Sequence, residues 1–338
     1  MKMFHAVLVV GLALTGMARE HSEAFLNAER NGARTNIKLR VVDDESNPVA
    51  EANVRVFMGM NFRERGYWLE GKTDSNGVFL TNGKTTGNEI EIYLDKTGCY
   101  GTTKKLCYIA MGSEHEVSGG KWQPYPNEVQ IELRKIRNAI PLKSSGGVYH
   151  IPITNGWAAF DMEVNDWMPP YGKGKVPDVE FNFSWSGLEP LAWKEKHFWV
   201  RFPGNAFNGG YLNEVVVESQ FPYSYSAKPD WTFCNMLADK ACRNQKKSGM
   251  LGDASELVFR IRSVTNSVGK LESCLYGRFQ RLDYGLERTG KGSLLMRYYY
   301  NPTPNDTNLE DEETARISRL KHAQRLKYEN RCQEVKKR

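Results

Sequence analysis

Three carboxylates near the middle of the chain have the residue types and spacing that acid–base chemistry could use. Asp161 and Glu163 are two positions apart, and Asp166 follows them just before Trp167. If Asp161 and Glu163 lie on a strand, their side chains point to the same face. A glycoside hydrolase needs two carboxyl groups about 5 Å or about 6.5–9.5 Å apart across a sugar. The spacing permits such a hydrolase, and the competing interpretation is a polar loop beside Trp167.

A second set of oxygen-bearing side chains lies in predicted turns of the first half. Asp43, Asp44, Asp74 and Asn76 carry the hard ligands that Ca²⁺ prefers. They lack the later bidentate glutamate of an EF-hand loop, and such residues commonly bond the backbone of their own turns, which is the interpretation we favour. The chain also has no His-Glu-x-x-His, Gly-x-Ser-x-Gly or P-loop sequence. We therefore predict no metal site, no cofactor and no catalytic residue.

Aromatic side chains in the second half offer a different chemistry, because flat rings can stack on sugar rings. The candidates for a sugar-binding platform are Trp167, Trp193, Trp199, Tyr223, Tyr225 and Trp231. The competing interpretation is that they fill a core, as most aromatic residues of a β-sandwich do. The predicted partner is therefore an unidentified glycan or envelope protein.

Alternating apolar and polar residues predict strands through both halves of the chain. Ile37, Leu39 and Val41 alternate with polar neighbours, and the same period of two runs through 179–185 and 257–262. This period is typical of half-buried strands, and strands at close spacing with turns between them indicate a sandwich. We predict an all-β fold: two antiparallel β-sandwich-like domains with a short charged C-terminal helix.

The first half centres on a predicted structural turn at Asp74, Asn76 and Gly77, residue types that each favour turns. The motif Thr73-Asp74-x-x-Gly77-x-Phe79 and the upstream run Pro48-Val49-Ala50-x-Ala52-x-Val54 together resemble the carboxypeptidase regulatory-like domain. That domain is a small transthyretin-like β-sandwich, and the resemblance covers residues 36–133. It implies a scaffold or interaction module without enzyme activity.

The chain has six cysteines. In an exported chain this even number permits three disulfides, which can be connected in 15 ways. Proximity favours Cys99 with Cys107 and Cys234 with Cys242, each pair eight positions apart. Eight positions on one α-helix rise by about 12 Å, beyond disulfide reach, so either bond requires a hairpin, a loop or a broken helix. Regulatory-like domains usually have Gly-Tyr where this chain has Gly98-Cys99-Tyr100, and this departure supports the Cys99–Cys107 bond. Cys274 and Cys332 would then be left to each other or free.

The N-terminus is typical of a signal peptide at 1–18. Lys2 precedes an apolar run at 6–14, and Gly16-Met17-Ala18 offers a cleavage site. A membrane anchor is the alternative, but the run is shorter than the ~18 residues that a span needs, and no later run is long enough. The net charge of +6 is too diffuse to indicate nucleic-acid binding. We therefore expect a periplasmic or secreted protein with no transmembrane segment after cleavage.

The predicted organisation continues with a polar lead-in at 19–34, either a short helix or flexible, and the regulatory-like sandwich at 35–135. A flexible linker at 136–150 contains Ser144-Ser145-Gly146-Gly147. A second β-rich domain follows at 151–306, and a charged helical tail at 307–338. Thr307 and Glu310 have the spacing of a capping box, which predicts the start of that helix.

Stretches of the second domain, 160–167, 169–175 and 299–306, resemble parts of exported bacterial proteins that pair such a domain with a regulatory-like one. The resemblance implies no particular reaction. We expect an exported, non-catalytic binding or structural protein of the bacterial envelope. The alternative is a secreted glycan-acting hydrolase that uses carboxylates of the second domain.

Overall fold

The computed structural model describes residues 22–60, 66–87, 90–108, 117–215, 218–243, 250–251 and 255–337. The predicted signal peptide at 1–18 lies outside these residues, as do part of the predicted hairpin tip at 61–68 and most of the strand predicted at 107–111. No helix in the described ranges is both long and apolar enough to cross a membrane.

Strands are the main secondary structure of the described chain, at 51% against 10% helix, so the all-β prediction is confirmed. The strands of the first half are β1 (Ala33–Val42), β2 (Asn53–Met58), β3 (Tyr67–Lys72), β4 (Val78–Thr85), β5 (Ile90–Asp95), β6 (Thr102–Leu106), β7 (Val117–Ser118), β8 (Lys121–Trp122) and β9 (Asn127–Glu132). Those of the second half are β10 (Lys143–His150), β11 (Trp157–Asp161), β12 (Asp166–Trp167), β13 (Val179–Gly187), β14 (Trp193–Arg201), β15 (Gly209–Glu214), β16 (Met236–Cys242), β17 (Ser255–Thr265), β18 (Leu271–Leu286) and β19 (Gly292–Tyr300).

Two sheets form the first β unit and bury the alternating residues of their strands between them. Sheet 1 contains β4, β1, β9, β8 and β7, and sheet 2 has the order β3-β2-β5-β6. Leu39 of β1 and Val56 of β2 are fully buried, as the alternation predicts. The pairing differs from the expected antiparallel pattern along β1, which runs parallel to both β8 and β9. Parallel neighbours need a long connection, and here the chain passes through all of sheet 2 before it returns.

Turns in this unit are closed by their own side chains. Asp74 Oδ1 accepts the backbone N–H groups of Asn76 at 2.9 Å and Val78 at 2.8 Å. Gly77 has φ +70°, and a Cβ there would lie 2.4 Å from the carbonyl oxygen of Val41. The turn therefore requires glycine for both its backbone conformation and its close approach to β1.

The polar lead-in contains a helix, α1 (Glu23–Asn31). Ser22 caps it by accepting the N–H of Phe25 at 3.2 Å. Phe25 and Ala28 are buried against the first core, where Phe25 packs edge-to-face on Trp122 with centroids 5.6 Å apart. The sequence predicts either a short helix or a flexible segment for the lead-in at 19–34, and the helix is what forms over 23–31.

Two five-stranded sheets form the second β unit. Sheet 3 has the order β10-β19-β18-β17-β15, and sheet 4 the order β12-β11-β13-β14-β16. Their facing side chains make the larger core, including Phe181, Phe198, Phe259 and Tyr298. The predicted flexible linker is wrong over 143–150, because these residues form β10 and pair with β19 in a regular antiparallel register. Glycine and serine do not prevent strand formation where a partner strand supplies the backbone hydrogen bonds.

The C-terminal helix α2 (Glu312–Lys337) begins five residues later than predicted. Asp311 rather than Thr307 is its cap, since Asp311 Oδ1 accepts the N–H of Thr314 at 2.8 Å. Glu310 is not part of a capping box. Its carboxylate is buried, and it accepts the Tyr100 hydroxyl at 2.8 Å and the N–H of Arg137 at 2.9 Å. Long-range contacts with the first unit thus displace the local pattern.

A buried junction joins the first β unit, the second β unit and the C-terminal segment. Arg278 of β18 donates to Asp311 at 2.6 Å and lies between the rings of Tyr223 and Tyr299, at 4.2 and 4.4 Å from their centroids. Arg134, just after β9, donates to the backbone carbonyl of Tyr223 at 2.6 Å. The junction covers the part of the outer face of sheet 3 around Arg278.

Candidate functional site

The outer face of sheet 4 carries a regular array of aromatic and polar side chains, which we call the aromatic face. In β13 and β14 the inward residues Phe181, Phe183, Phe198 and Val200 are fully buried. Because successive side chains alternate between faces, the intervening residues point outward. The outward residues are Glu180, Asn182, Ser184, Glu195, His197, Trp199 and Arg201, all partly exposed.

The strand register places two tryptophans in one row across this face. Trp157 of β11 is opposite Asn182, Asn182 is opposite Trp199, and Trp199 is opposite Ala238 of β16. Neighbouring strands are about 4.8 Å apart, so the Cα atoms of Trp157 and Trp199 are separated by roughly 10 Å. Asn182 occupies the position between the two tryptophans in this row.

Neighbouring side chains hold both indoles in place. The guanidinium of Arg201 lies 4.3 Å from the ring centroid of Trp157, and it donates from Nε to Glu180 at 2.6 Å. The imidazole of His197 stacks on Trp199 with centroids 5.6 Å apart and planes at 13°. These contacts occupy part of each ring and fix its orientation, so little rotamer entropy is lost when a ligand binds.

Charged groups at the rim of the aromatic face neutralise one another. Glu195 accepts from Lys240 Nζ at 2.8 Å and lies 3.3 Å from His197 Nε2. The pKa of Glu195 is lowered chiefly by its hydrogen bond from Lys240. The face is therefore close to neutral, with hydrogen-bonding groups between the rings, which suits an uncharged polar ligand better than an ion.

The carboxylates proposed for hydrolysis do not face a cleft. Asp161 is 1% exposed, and its oxygens accept four backbone N–H groups, those of Glu163, Val164, Lys175 and Val176, at 2.8–3.0 Å. Burial alone would raise the pKa of Asp161, but these bonds outweigh burial and lower it. An acid whose lone pairs are committed to backbone donors cannot take up and release a proton at a substrate.

Glu163 and Asp161 instead belong to a cluster around Arg262. Arg262 binds Asp178 through two bonds, from Nε to Oδ1 at 2.8 Å and from Nη2 to Oδ2 at 2.9 Å. Its Nη1 donates to Glu163 at 2.6 Å, and Lys143 reaches the other oxygen of Glu163 at 2.9 Å. The cluster fastens the loop after β11 to sheet 3, which is a structural role.

Asp166 and the calcium candidates also bond locally. Asp166 accepts the N–H groups of Trp167 and Lys173, each at 2.8 Å. Asp43 accepts the N–H of Asn47 at 2.9 Å and pairs with Lys135 at 2.7 Å. The structure thus brings Asp43 and Asp74 into separate turns rather than around one ion.

The predicted aromatic platform does not form as a unit. Trp167 is buried in the second core, Trp193 lies 4.4 Å from Lys196 Nζ, and Trp231 stacks on Tyr211. Tyr223 and Tyr225 belong to the junction, over arginines. Trp199 alone of the six lies on the aromatic face.

Trp157 is the residue that sequence reasoning missed. It begins the run Trp157-Ala158-Ala159-Phe160, in which Ala158 and Phe160 are buried and therefore point inward. The two-residue period then places Trp157 on the outer face. The sequence therefore contained the information, but using it required knowing first that Ala158 and Phe160 face the core.

The structure does not contain either predicted disulfide, and a strand separates the two cysteines of each pair. Strand β6 lies between Cys99 and Cys107, and β16 begins after Cys234 and ends at Cys242. A strand rises about 3.3 Å per residue, so the ends of these strands are roughly 13 Å and 20 Å apart. Disulfides need Cα atoms closer than about 7 Å, and the structure joins neither pair by a bond.

Comparison with known proteins gives little guidance. No protein-family model and no curated protein matches the chain. Part of it is similar to 3-chlorocatechol 1,2-dioxygenase from Rhodococcus opacus 1CP, with 14% identity, 32% of this chain, 62% of that chain and a TM-score of 0.26. Hydroxyquinol 1,2-dioxygenase from Pseudomonas putida DLL-E4 is 13% identical over 31% of this chain and 58% of that chain, with a TM-score of 0.24. The plantain pollen allergen Pla l 1 is 18% identical over 32% of this chain and 98% of that chain, with a TM-score of 0.20.

The matched region spans less than two thirds of either dioxygenase's length. At these TM-scores the similarities carry no argument about this chain. The case for a function therefore depends on the aromatic face itself.

Proposed function

We propose that this chain is a non-catalytic binding protein that recognises carbohydrate through the aromatic face of its second β unit. The observation that carries the proposal is the row Trp157, Asn182 and Trp199 across three adjacent strands. Two indoles and an amide on one face of a sheet combine apolar contact with hydrogen bonding, which suits the faces and hydroxyls of sugars. The near-neutral rim favours uncharged glycans.

The predicted signal peptide at 1–18 supports a site of action outside the cytoplasm. We propose an exported envelope or secreted protein whose first β unit, which resembles a regulatory-like domain, serves as a scaffold. The buried state of Asp161 favours binding over hydrolysis. These two proposals are independent of the identity of the glycan.

The test is a screen of neutral glycans with the chain from Arg19 onward, followed by calorimetry on each glycan bound. Trp157→Ala and Trp199→Ala should each weaken binding at least ten-fold. The matched control is Trp68→Ala, which removes a 42%-exposed tryptophan from sheet 2 and should leave binding unchanged. The absence of binding to every glycan in the screen, or an equal loss of affinity in all three variants, would contradict the proposal.

A further inference from the structure

We infer that a cleft between helix α2 and the outer face of sheet 3 binds a small carboxylate that also carries hydroxyl groups, such as a sugar acid. The cleft has a volume of about 390 Å³, within the usual range of ligand pockets. Its walls come from β10, β18, β19 and α2, with Gln220 from the loop after β15. Its lining includes Ser144, Gln280, Arg297, Tyr299, Glu313 and Lys321.

Two cations line opposite walls of the cleft. Leu294, Met296 and Tyr298 of β19 point into the core, so Arg297 points outward, and Lys321 lies on α2. Within the described ranges neither forms an ion pair, whereas Arg278 and Arg281 of the neighbouring strand both do.

Glu313 is the one acidic residue on the described walls, so the cleft carries a net positive charge. Arginine binds carboxylates in a two-pronged geometry and lysine adds a point charge. The pair therefore favours a carboxylate over a neutral ligand.

Gln280 supplies the second half of the recognition. Its Oε1 atom is buried and accepts no hydrogen bond, although the side chain lines the cleft. A buried acceptor without a donor is destabilising, and most such groups in proteins are satisfied. Since this atom is covered, the amide must turn toward the ligand before a hydroxyl can donate to it, whereas a simple alkyl carboxylate offers no donor at all. The positive charge and the unsatisfied acceptor together indicate a hydroxy acid.

The first test is calorimetric titration of the chain from Arg19 onward with D-glucuronate, D-glucose and acetate as probes. Glucuronate should bind at least ten-fold more tightly than either of the others, because glucose lacks the charge and acetate lacks the hydroxyls. Binding of glucose as tight as glucuronate would overturn the role of Arg297 and Lys321. Equal binding of acetate would overturn the role of Gln280, and no binding of glucuronate would overturn the site.

Variants locate the binding. Arg297→Gln and Lys321→Gln should each weaken the binding of glucuronate by about ten-fold or more. Gln280→Met should reduce the preference for glucuronate over acetate. The matched control is Arg319→Gln, an exposed cation of the same helix that does not line the cleft. Thermal melting of each variant checks that it folds. A loss with Arg319→Gln as large as with Arg297→Gln would refute the assignment.

This site is separate from the aromatic face. Trp157→Ala should leave glucuronate binding unchanged, and Arg297→Gln should leave neutral-glycan binding unchanged. Failure of one proposal is therefore distinguishable from failure of the other.

Discussion

Removing the negative charge of Asp311 should destabilise the protein more than almost any other single charge change. Asp311 is buried with Arg278, their side chains being 3% and 1% exposed, and the two are joined by a 2.6 Å bond. The remaining hydrogen bonds of Arg278 are weak or missing. Its Nε is 3.4 Å from the carbonyl oxygen of Leu309, and its Nη1 has no hydrogen-bond partner. Asp311 is thus what compensates the buried guanidinium.

The substitution Asp311→Asn isolates this charge. Asn caps helices as well as Asp does, so the bond to Thr314 at the start of α2 can persist. Breaking a buried ion pair from one side costs about 3–5 kcal/mol. We expect the lower end, about 3 kcal/mol, because the rings of Tyr223 and Tyr299 still enclose the cation and contribute a cation–π attraction.

The assay is urea unfolding followed by tryptophan fluorescence, in a double-mutant cycle with Arg278→Met. The double variant Arg278→Met/Asp311→Asn should lose less stability than the sum of the two single changes, since no uncompensated buried charge remains. Asp283→Asn, which breaks the pair with the 60%-exposed Arg281, is the control and should change stability by less than about 0.5 kcal/mol. A loss below about 1 kcal/mol for Asp311→Asn, or strict additivity in the cycle, would refute this account.

Two further predictions concern the turns of the first unit. Burial alone would raise the pKa of Asp43, but Lys135 and the N–H groups of its own turn outweigh burial and lower it to about 2. The ordinary value is about 3.9, so this carboxylate contributes stability that is complete above about pH 4 and is lost as pH falls toward 2. The difference in unfolding free energy between wild type and Asp43→Asn should therefore shrink over that interval in urea titrations, and a constant difference would contradict it. Gly77→Ala should lower the melting temperature more than Gly98→Ala: both residues have positive φ, but only at Gly77 would the new Cβ meet backbone, the carbonyl oxygen of Val41 at 2.4 Å. Equal shifts in thermal melts would show that the contact is unimportant.

Several features were predictable because they depend on local periodicity. The alternation at Ile37, Leu39 and Val41 placed a strand correctly, since a strand with one buried face must alternate. The same rule applied to β11 would have put Trp157 on the outer face. Asp74 and Gly77 form their turn with atoms only two to four residues away, so neighbouring residue types were sufficient.

Other features depended on partners far along the chain. Ser144 to Gly147 form a strand because β19 lies beside them, about 150 positions later. Glu310 resembles a capping residue, but its carboxylate bonds Tyr100, 210 positions away. Cysteines that are close in sequence are held apart by the strands between them.

The sequence by itself determined that the chain would form strands with one apolar face and a charged C-terminal helix, because those patterns follow from the geometry of a single segment. Only the tertiary structure decided which side chains share a surface. The row of Trp157, Asn182 and Trp199 exists because three strands pair in one register. The enclosure of Asp161 depends on a loop 14 positions away that donates two N–H groups to it. Register and long-range contacts are set by the packing of the whole fold, and that packing is not encoded in any one stretch.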